Sequence, residues 1–216
     1  MAVSESASQQ FPRLYPIVDD DLLRRYHISV ARFAEDLKSA GVTLLQYRNK
    51  VGAPQAILRD SAIIWEVFAG SGCRLILNDR ADLVELAGFD GVHVGQGDLL
   101  PEDARRVVGT ERWVGVSTHN DEQVRIASRT SADYIAVGPV FATGTKLDAE
   151  PVIGLDGVHR ARALTTKPIV AIGGITRENA RSVIDAGADS VAVISALFVE
   201  AETVEKVAGD FLENLR

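Results

Sequence analysis

Eight short, β-rich apolar runs recur along this chain, and each is followed by a segment with helical spacing. The runs cover 14–18, 43–47, 74–78, 91–94, 113–117, 134–137, 168–172 and 190–194. They are nearly continuous in apolar residues instead of alternating, the pattern of parallel strands covered on both faces. The segments between them, 30–40, 54–69, 81–87, 101–108, 120–128, 155–164, 177–186 and 201–215, carry apolar residues at helical intervals. Pro54 and Pro101 stand in the first turn of their segments, where a missing N–H costs nothing. Asn120 and Thr176 are placed as N-caps, and Gly41 and Gly187 as stops. Strict β/α alternation implies right-handed crossovers and a parallel sheet.

Eight such units predict a single-domain α/β fold, the (β/α)8 TIM barrel, over residues 12–216. That is near the short end of the barrel's usual range of roughly 200 to 400 residues. The rival architecture is an open doubly wound sheet, which usually carries a glycine-rich turn after its first strand. Here the first run ends in Asp19-Asp20-Asp21. Residues 1–11, small and polar apart from the last, are expected to form a disordered tail.

Of the 216 residues, 46% are hydrophobic, enough for a large core. The formal net charge is −7, which argues against nucleic acid or an anionic membrane as a partner, since both call for a basic face. No apolar run approaches the roughly 20 residues of a membrane span, and the start lacks the charge and apolar pattern of a signal peptide. The single cysteine, Cys73, permits no disulfide framework and reads as core filling. These features fit a reducing, cytoplasmic setting. A homo-oligomer stays open.

A barrel of this type places its active site at the C-terminal ends of its strands, and the polar residues fall there. The second run ends in Gln46-Tyr47-Arg48-Asn49-Lys50 and the third in Asn78-Asp79-Arg80. The fourth leads into Gly95-Gln96-Gly97-Asp98, the fifth into Ser117-Thr118-His119. The sixth opens a loop from Gly138 to Lys146 that includes Thr143 and Thr145. The seventh ends in Gly173-Gly174 and the eighth in Ile194-Ser195. Each group has a plainer reading. Arg48 and Lys50 read equally as a solvated pair, and Asp79, Asp98, Ser117 and Ser195 as helix caps. His93, inside an apolar run, reads as a core or supporting histidine; His27 and His159 read as surface residues, and His119 is unassigned.

The chemistry separates these readings. Two carboxylates at neighbouring strand ends, with no cysteine or histidine cluster beside them, suit a hard cation such as Mg²⁺, which is commonly shared with substrate phosphates. Arg48, Lys50 and Lys146 add three cations on the same rim of an acidic protein, an arrangement that calls for a strongly anionic ligand such as a diphosphate. Gly173-Gly174 allows close backbone approach, and the turn at Ser195 offers N–H groups to a second anion. Two phosphorylated substrates at one mouth point to a transferase.

Taken in order, Gln46-x-Arg48-x-Lys50, Asn78-Asp79-Arg80, the stretch from Asp90 to Asp98, Gly115-Val116-Ser117, Thr143-x-Thr145-Lys146, Ala171-Ile172-Gly173-Gly174-Ile175 and Ile194-Ser195 make the chain resemble the thiamine phosphate synthase family. The resemblance runs from Leu14 to about Ala196. It implies condensation of 4-amino-2-methyl-5-hydroxymethylpyrimidine diphosphate with 4-methyl-5-(2-phosphoethyl)thiazole, giving thiamine phosphate and diphosphate. It further implies Asp79 and Asp98 as Mg²⁺ ligands, and Arg48, Lys50, Asn78 and Lys146 around the diphosphate with Ser117 alongside. Gln46 would contact the pyrimidine diphosphate substrate. Thr143, Thr145, Gly173, Gly174, Ile194 and Ser195 would hold the thiazole phosphate. Two positions depart from the family pattern: Ala142, where proline is common, and Gly97, where glutamate or serine is. Alternatives are a thiazole tautomerase of the same fold, which would carry histidine in place of Pro139, another phosphate-binding barrel such as a sugar-phosphate isomerase, and a non-catalytic sensor of thiamine precursors.

Overall fold

The structure, a computed structural model, describes residues 11–144 and 150–216. The tail expected over 1–11 therefore falls outside the described residues except for Phe11. Eight strands, β1 (Leu14–Asp19), β2 (Leu44–Arg48), β3 (Arg74–Asn78), β4 (Gly91–Val94), β5 (Trp113–Thr118), β6 (Tyr134–Val137), β7 (Ile169–Ile172) and β8 (Ser190–Val193), close in sequence order. Every neighbouring pair is parallel, including β1 with β8. The expected (β/α)8 barrel is the observed fold.

Around it lie α1 (Asp20–Arg25), α2 (Val30–Ser39), α3 (Pro54–Phe68), α4 (Val84–Ala87), α5 (Pro101–Val108), α6 (Asp121–Ser128), α7 (Gly154–Leu164), α8 (Ala180–Asp185) and α9 (Val204–Asn214). Pro54 and Pro101 do open their helices, and the Asn120 side chain accepts from Gln123 N–H at 3.0 Å. Three features differ from expectation. Helix α1 is additional to the eight expected segments: the Asp19 side chain caps it, accepting from Leu22 N–H at 3.1 Å. Thr176 does not cap α8. Its N–H donates to Asn179 Oδ1 at 2.8 Å, and this local turn delays the helix to Ala180. The last helix starts at Val204, where the Thr203 hydroxyl accepts from Lys206 N–H at 3.2 Å.

The strands separate two apolar cores. Tyr15, Ile17, Leu44, Ile76, Tyr134, Ala136, Val170 and Ala192 fill the barrel interior. Leu14, Val18, Leu45, Leu77, Val92, Ile135 and Val191 point outward against the helices. Successive residues serve opposite faces, and both faces are dry, so the runs read as apolar throughout. On the helix side, burying Phe33 and Leu37 of α2 contributes about 1.5–3 kcal/mol each. At the end opposite the strands' C-termini, Phe11 stacks on Trp113 at 5.3 Å between ring centres, and Arg74 lies 4.2 Å over the same indole. The floor is thus sealed by side chains, and the barrel opens at its C-terminal mouth.

Candidate active site

A cavity of about 350 Å³ opens there, within the usual size range of small-molecule sites. Of the residues singled out in the sequence, Gln46, Arg48, Asn78, Ser117, Thr143, Gly173, Gly174, Ile194 and Ser195 line it. Its deeper wall is apolar, made by Ile17, Ala136, Val170, Ile172 and Ala192. Lys50, Asp79 and Asp98 form a separate cluster that adjoins the wall through Asn78. Thr145 and Lys146 lie outside the described residues.

The cluster is held by charge. Lys50 Nζ lies 2.5 Å from Asp79 Oδ2, and the Asp79 and Asp98 carboxyls are close enough to shift each other's titration. Burial pushes the Asp79 carboxyl above its ordinary range, opposed by Lys50 and reinforced by Asp98. Asp98 is shifted down: burial, its largest influence, is outweighed by Asp79, the Gly95 N–H and the charge of Lys50. The two carboxyls thus shift in opposite directions, each through the other and through Lys50. Neither acts as a helix cap. Asp98 Oδ2 accepts from Gly95 N–H at 2.8 Å, and the helices that follow have no side-chain cap. Among the described residues no three His, Cys, Asp or Glu side chains converge into a complete metal site. Two neighbouring hard oxygen donors suit a divalent cation completed by substrate oxygens.

Arg48 is not the solvated group of the plainer reading. It pairs with Asp19, whose side chain is only 4% exposed against 21% for Arg48. Asp19 thus both caps α1 and aims Arg48 across the mouth. It is absent from the residues singled out in the sequence, although the strand-end rule applied to the other seven strands points to it equally.

On the opposite side the backbone does the positioning. Beyond the end of β6, Val140 N–H donates to Ile172 O at 2.9 Å and Phe141 N–H to Gly173 O at 3.0 Å. The loop therefore stays paired to β7 past both strand ends. Gly173 and Gly174 have φ of 104° and 64°, which favour glycine. Space demands it too: a Cβ at Gly174 would lie 2.5 Å from Ala142 O, and one at Gly173 2.6 Å from Pro139 Cβ. The peptide Gly138-Pro139 is cis. His119, unassigned from sequence, joins this wall with Nδ1 2.7 Å from Gly138 O.

His93 is buried and sits between two hydroxyls, Tyr134 Oη at 3.0 Å and Ser117 Oγ at 2.8 Å. It supports Ser117 from inside the barrel, as the reading of a supporting histidine expected. His27 and His159 are exposed. Cys73 is half-buried, and burial pushes its thiol up to about 12, far from a nucleophile's range.

Closed barrel, sealed floor and a polar mouth backed by an apolar chamber define a (β/α)8-barrel enzyme for small, anionic ligands. Residues 14–197 match the family described as thiamine monophosphate synthase. The chain is 53% identical over 208 residues to the thiamine-phosphate synthase of Koribacter versatilis, covering 95% of this chain and 97% of that protein. It is 43% identical to the thiamine-phosphate synthase of Methanoregula boonei, covering 83% and 82%. The solved thiamine phosphate pyrophosphorylase from Pyrococcus furiosus superposes with a TM-score of 0.83 at 32% identity, covering 94% of this chain and 95% of that one. The chain belongs to the thiamine monophosphate synthase family.

Proposed function

We propose that this chain is a transferase of thiamine biosynthesis whose mouth joins the pyrimidine diphosphate to the thiazole phosphate, releasing diphosphate and forming thiamine phosphate. One observation carries the reading. Cationic and carboxylate side chains gather on one side of the mouth, a glycine-shaped backbone cradle lies on the other, and an apolar chamber lies beneath.

Gln46 holds the pyrimidine in the chamber. Arg48, Lys50 and Asn78, together with Lys146, draw the diphosphate to the rim. Asp79 and Asp98 would hold Mg²⁺ together with diphosphate oxygens. When bound, the ion neutralises charge accumulating on the departing group. The aminopyrimidine ring stabilises the cation left at its methylene, so departure precedes attack. Ser117 donates to the leaving oxygens as their charge grows, which is where a fixed donor accelerates most. Ile17, Val170, Ile172 and Ala192 keep water from the cationic carbon. Gly173, Gly174, Ser195, Thr143 and Thr145 grip the thiazole phosphate so that the ring nitrogen attacks at close range. No side-chain nucleophile takes part.

The test is diphosphate release measured with both substrates and Mg²⁺ present, against each substrate alone. Release that requires both, together with thiamine phosphate in the product, supports the reading. Isomerisation of the thiazole phosphate with no diphosphate released would overturn it. The charge and the transferase chemistry fit a cytoplasmic enzyme of small phosphorylated metabolites; among the described residues no helix is long and apolar enough to cross a membrane.

A further inference from the structure

The barrel interior contains a continuous run of hydrogen bonds that the reaction as described does not require. Gln46 Nε2 donates to Tyr15 Oη at 3.0 Å, and Tyr15 Oη meets Tyr134 Oη at 2.9 Å. Tyr134 Oη meets His93 Nδ1 at 3.0 Å, and His93 Nε2 meets Ser117 Oγ at 2.8 Å. The five residues come from β2, β1, β6, β4 and β5. Both ends of the run, Gln46 and Ser117, stand on the cavity wall. Polar groups in such a place are costly unless all of them are bonded.

Register makes the run possible. Gly115 on β5 pairs with His93 on one side and Tyr134 on the other. A Cβ at Gly115 would lie 2.1 Å from Tyr134 Cζ and 2.4 Å from its hydroxyl. The missing side chain lets the Tyr134 ring lie across β5 and reach His93. His93 and Tyr134 then stack at 5.6 Å between ring centres.

The run can carry one direction throughout. An amide nitrogen only donates, and with Tyr15 Oη receiving from Gln46 its own hydrogen is available to Tyr134. Tyr134 donating to His93 Nδ1 would put the imidazole hydrogen on Nε2, facing Ser117 Oγ. The reverse direction would set the Tyr15 hydrogen against the amide hydrogens. Burial raises both tyrosine hydroxyls well above their ordinary range, so both keep their protons. In that direction Ser117 receives from His93 and has its own hydrogen to give onward.

We propose that Tyr15, Tyr134 and His93 are positioning residues that commit the Ser117 hydroxyl to donating toward the departing diphosphate, and that they tie this commitment to Gln46 at the pyrimidine. The inference rests on the placement of Gln46 and Ser117 in the proposed function.

The test combines kinetics with nitrogen NMR of the histidines. In the wild-type protein His93 should carry its hydrogen on Nε2, with Nδ1 acting as acceptor; a hydrogen on Nδ1 would overturn the proposal without touching the reaction assignment. Tyr134→Phe keeps the ring and removes the hydroxyl. It should lower turnover about tenfold with KM within about twofold, the scale of losing a bond that orients a directly acting group. Ser117→Ala should cost about a hundredfold. Adding Tyr134→Phe to Ser117→Ala should cost little more, because the path it serves is gone. The same tenfold loss in both backgrounds would overturn the proposal alone. Normal turnover in Ser117→Ala would overturn the role of Ser117 and this inference with it.

Discussion

The two sides of the mouth bind anions by different means. From β1 to β4 the work falls to charged side chains, which pair with one another: Arg48 with Asp19 and Lys50 with Asp79, with Asp98 close by. From β6 to β8 the work falls to backbone, set by two glycines with positive φ and a loop that stays hydrogen-bonded to β7 past the strand ends. The first side is electrostatically adjustable, since a ligand enters by exchanging partners within an existing set of charges. The second is sterically fixed before any ligand arrives. The difference suits the proposed reaction, in which charge must follow a departing group on one side while a phosphate handle is only held on the other.

The largest effect belongs to the charged side. Asp79→Asn should lower turnover by about 10²–10³-fold, the scale of removing a preorganised electrostatic contact. Asp79 has a φ of 62°, which asparagine accepts readily, so circular dichroism and the melting midpoint should stay near wild type. Near-normal turnover would show that this carboxyl is not part of the machinery. Chelation of Mg²⁺ should abolish diphosphate release with the fold retained, and added Mg²⁺ should restore it. Turnover that survives chelation would leave the cations to act alone.

A smaller effect, of another kind, is expected across the mouth. Gly174→Ala forces a side chain into the left-handed region and against Ala142 O. It should cost about 1–3 kcal/mol of stability and raise KM for the thiazole phosphate more than it lowers turnover. An equal fall in turnover and unchanged KM would erase the distinction between the two sides. The smallest effect should come from Asp19→Asn. Asparagine preserves the cap on α1 but removes the charge facing Arg48. With that anion gone, the pyrimidine diphosphate should bind a few-fold more tightly, measured as a lower KM. Weaker binding would mean that Asp19 matters for aiming Arg48, not for competing with the ligand.

How far each side is legible in the sequence follows from the same contrast. Lys50, Asp79 and Asp98 are legible because their chemistry resides in the side chain and the strand-end rule says where to look. Asp19 obeys that rule and is still hidden, within a run of three aspartates. The glycines at 173 and 174 can be read as permissive, but not what presses on them, since Pro139 and Ala142 lie more than thirty residues away in the chain. Tyr15 and Tyr134 look like ordinary strand residues. A hydroxyl buried in an apolar run announces nothing until its partner is known.

The sequence by itself determined the alternation of strands and helices, hence the closed parallel barrel and the mouth at which the polar residues gather, because periodicity and turn chemistry are local. It also determined the family. Only the tertiary structure decided that Arg48 faces Asp19 and that Gly115 lets Tyr134 reach His93. It also decided that five strands join in one hydrogen-bonded run from Gln46 to Ser117. Those facts depend on register around a closed sheet, and register is set when the eighth strand meets the first, not within any stretch of the chain.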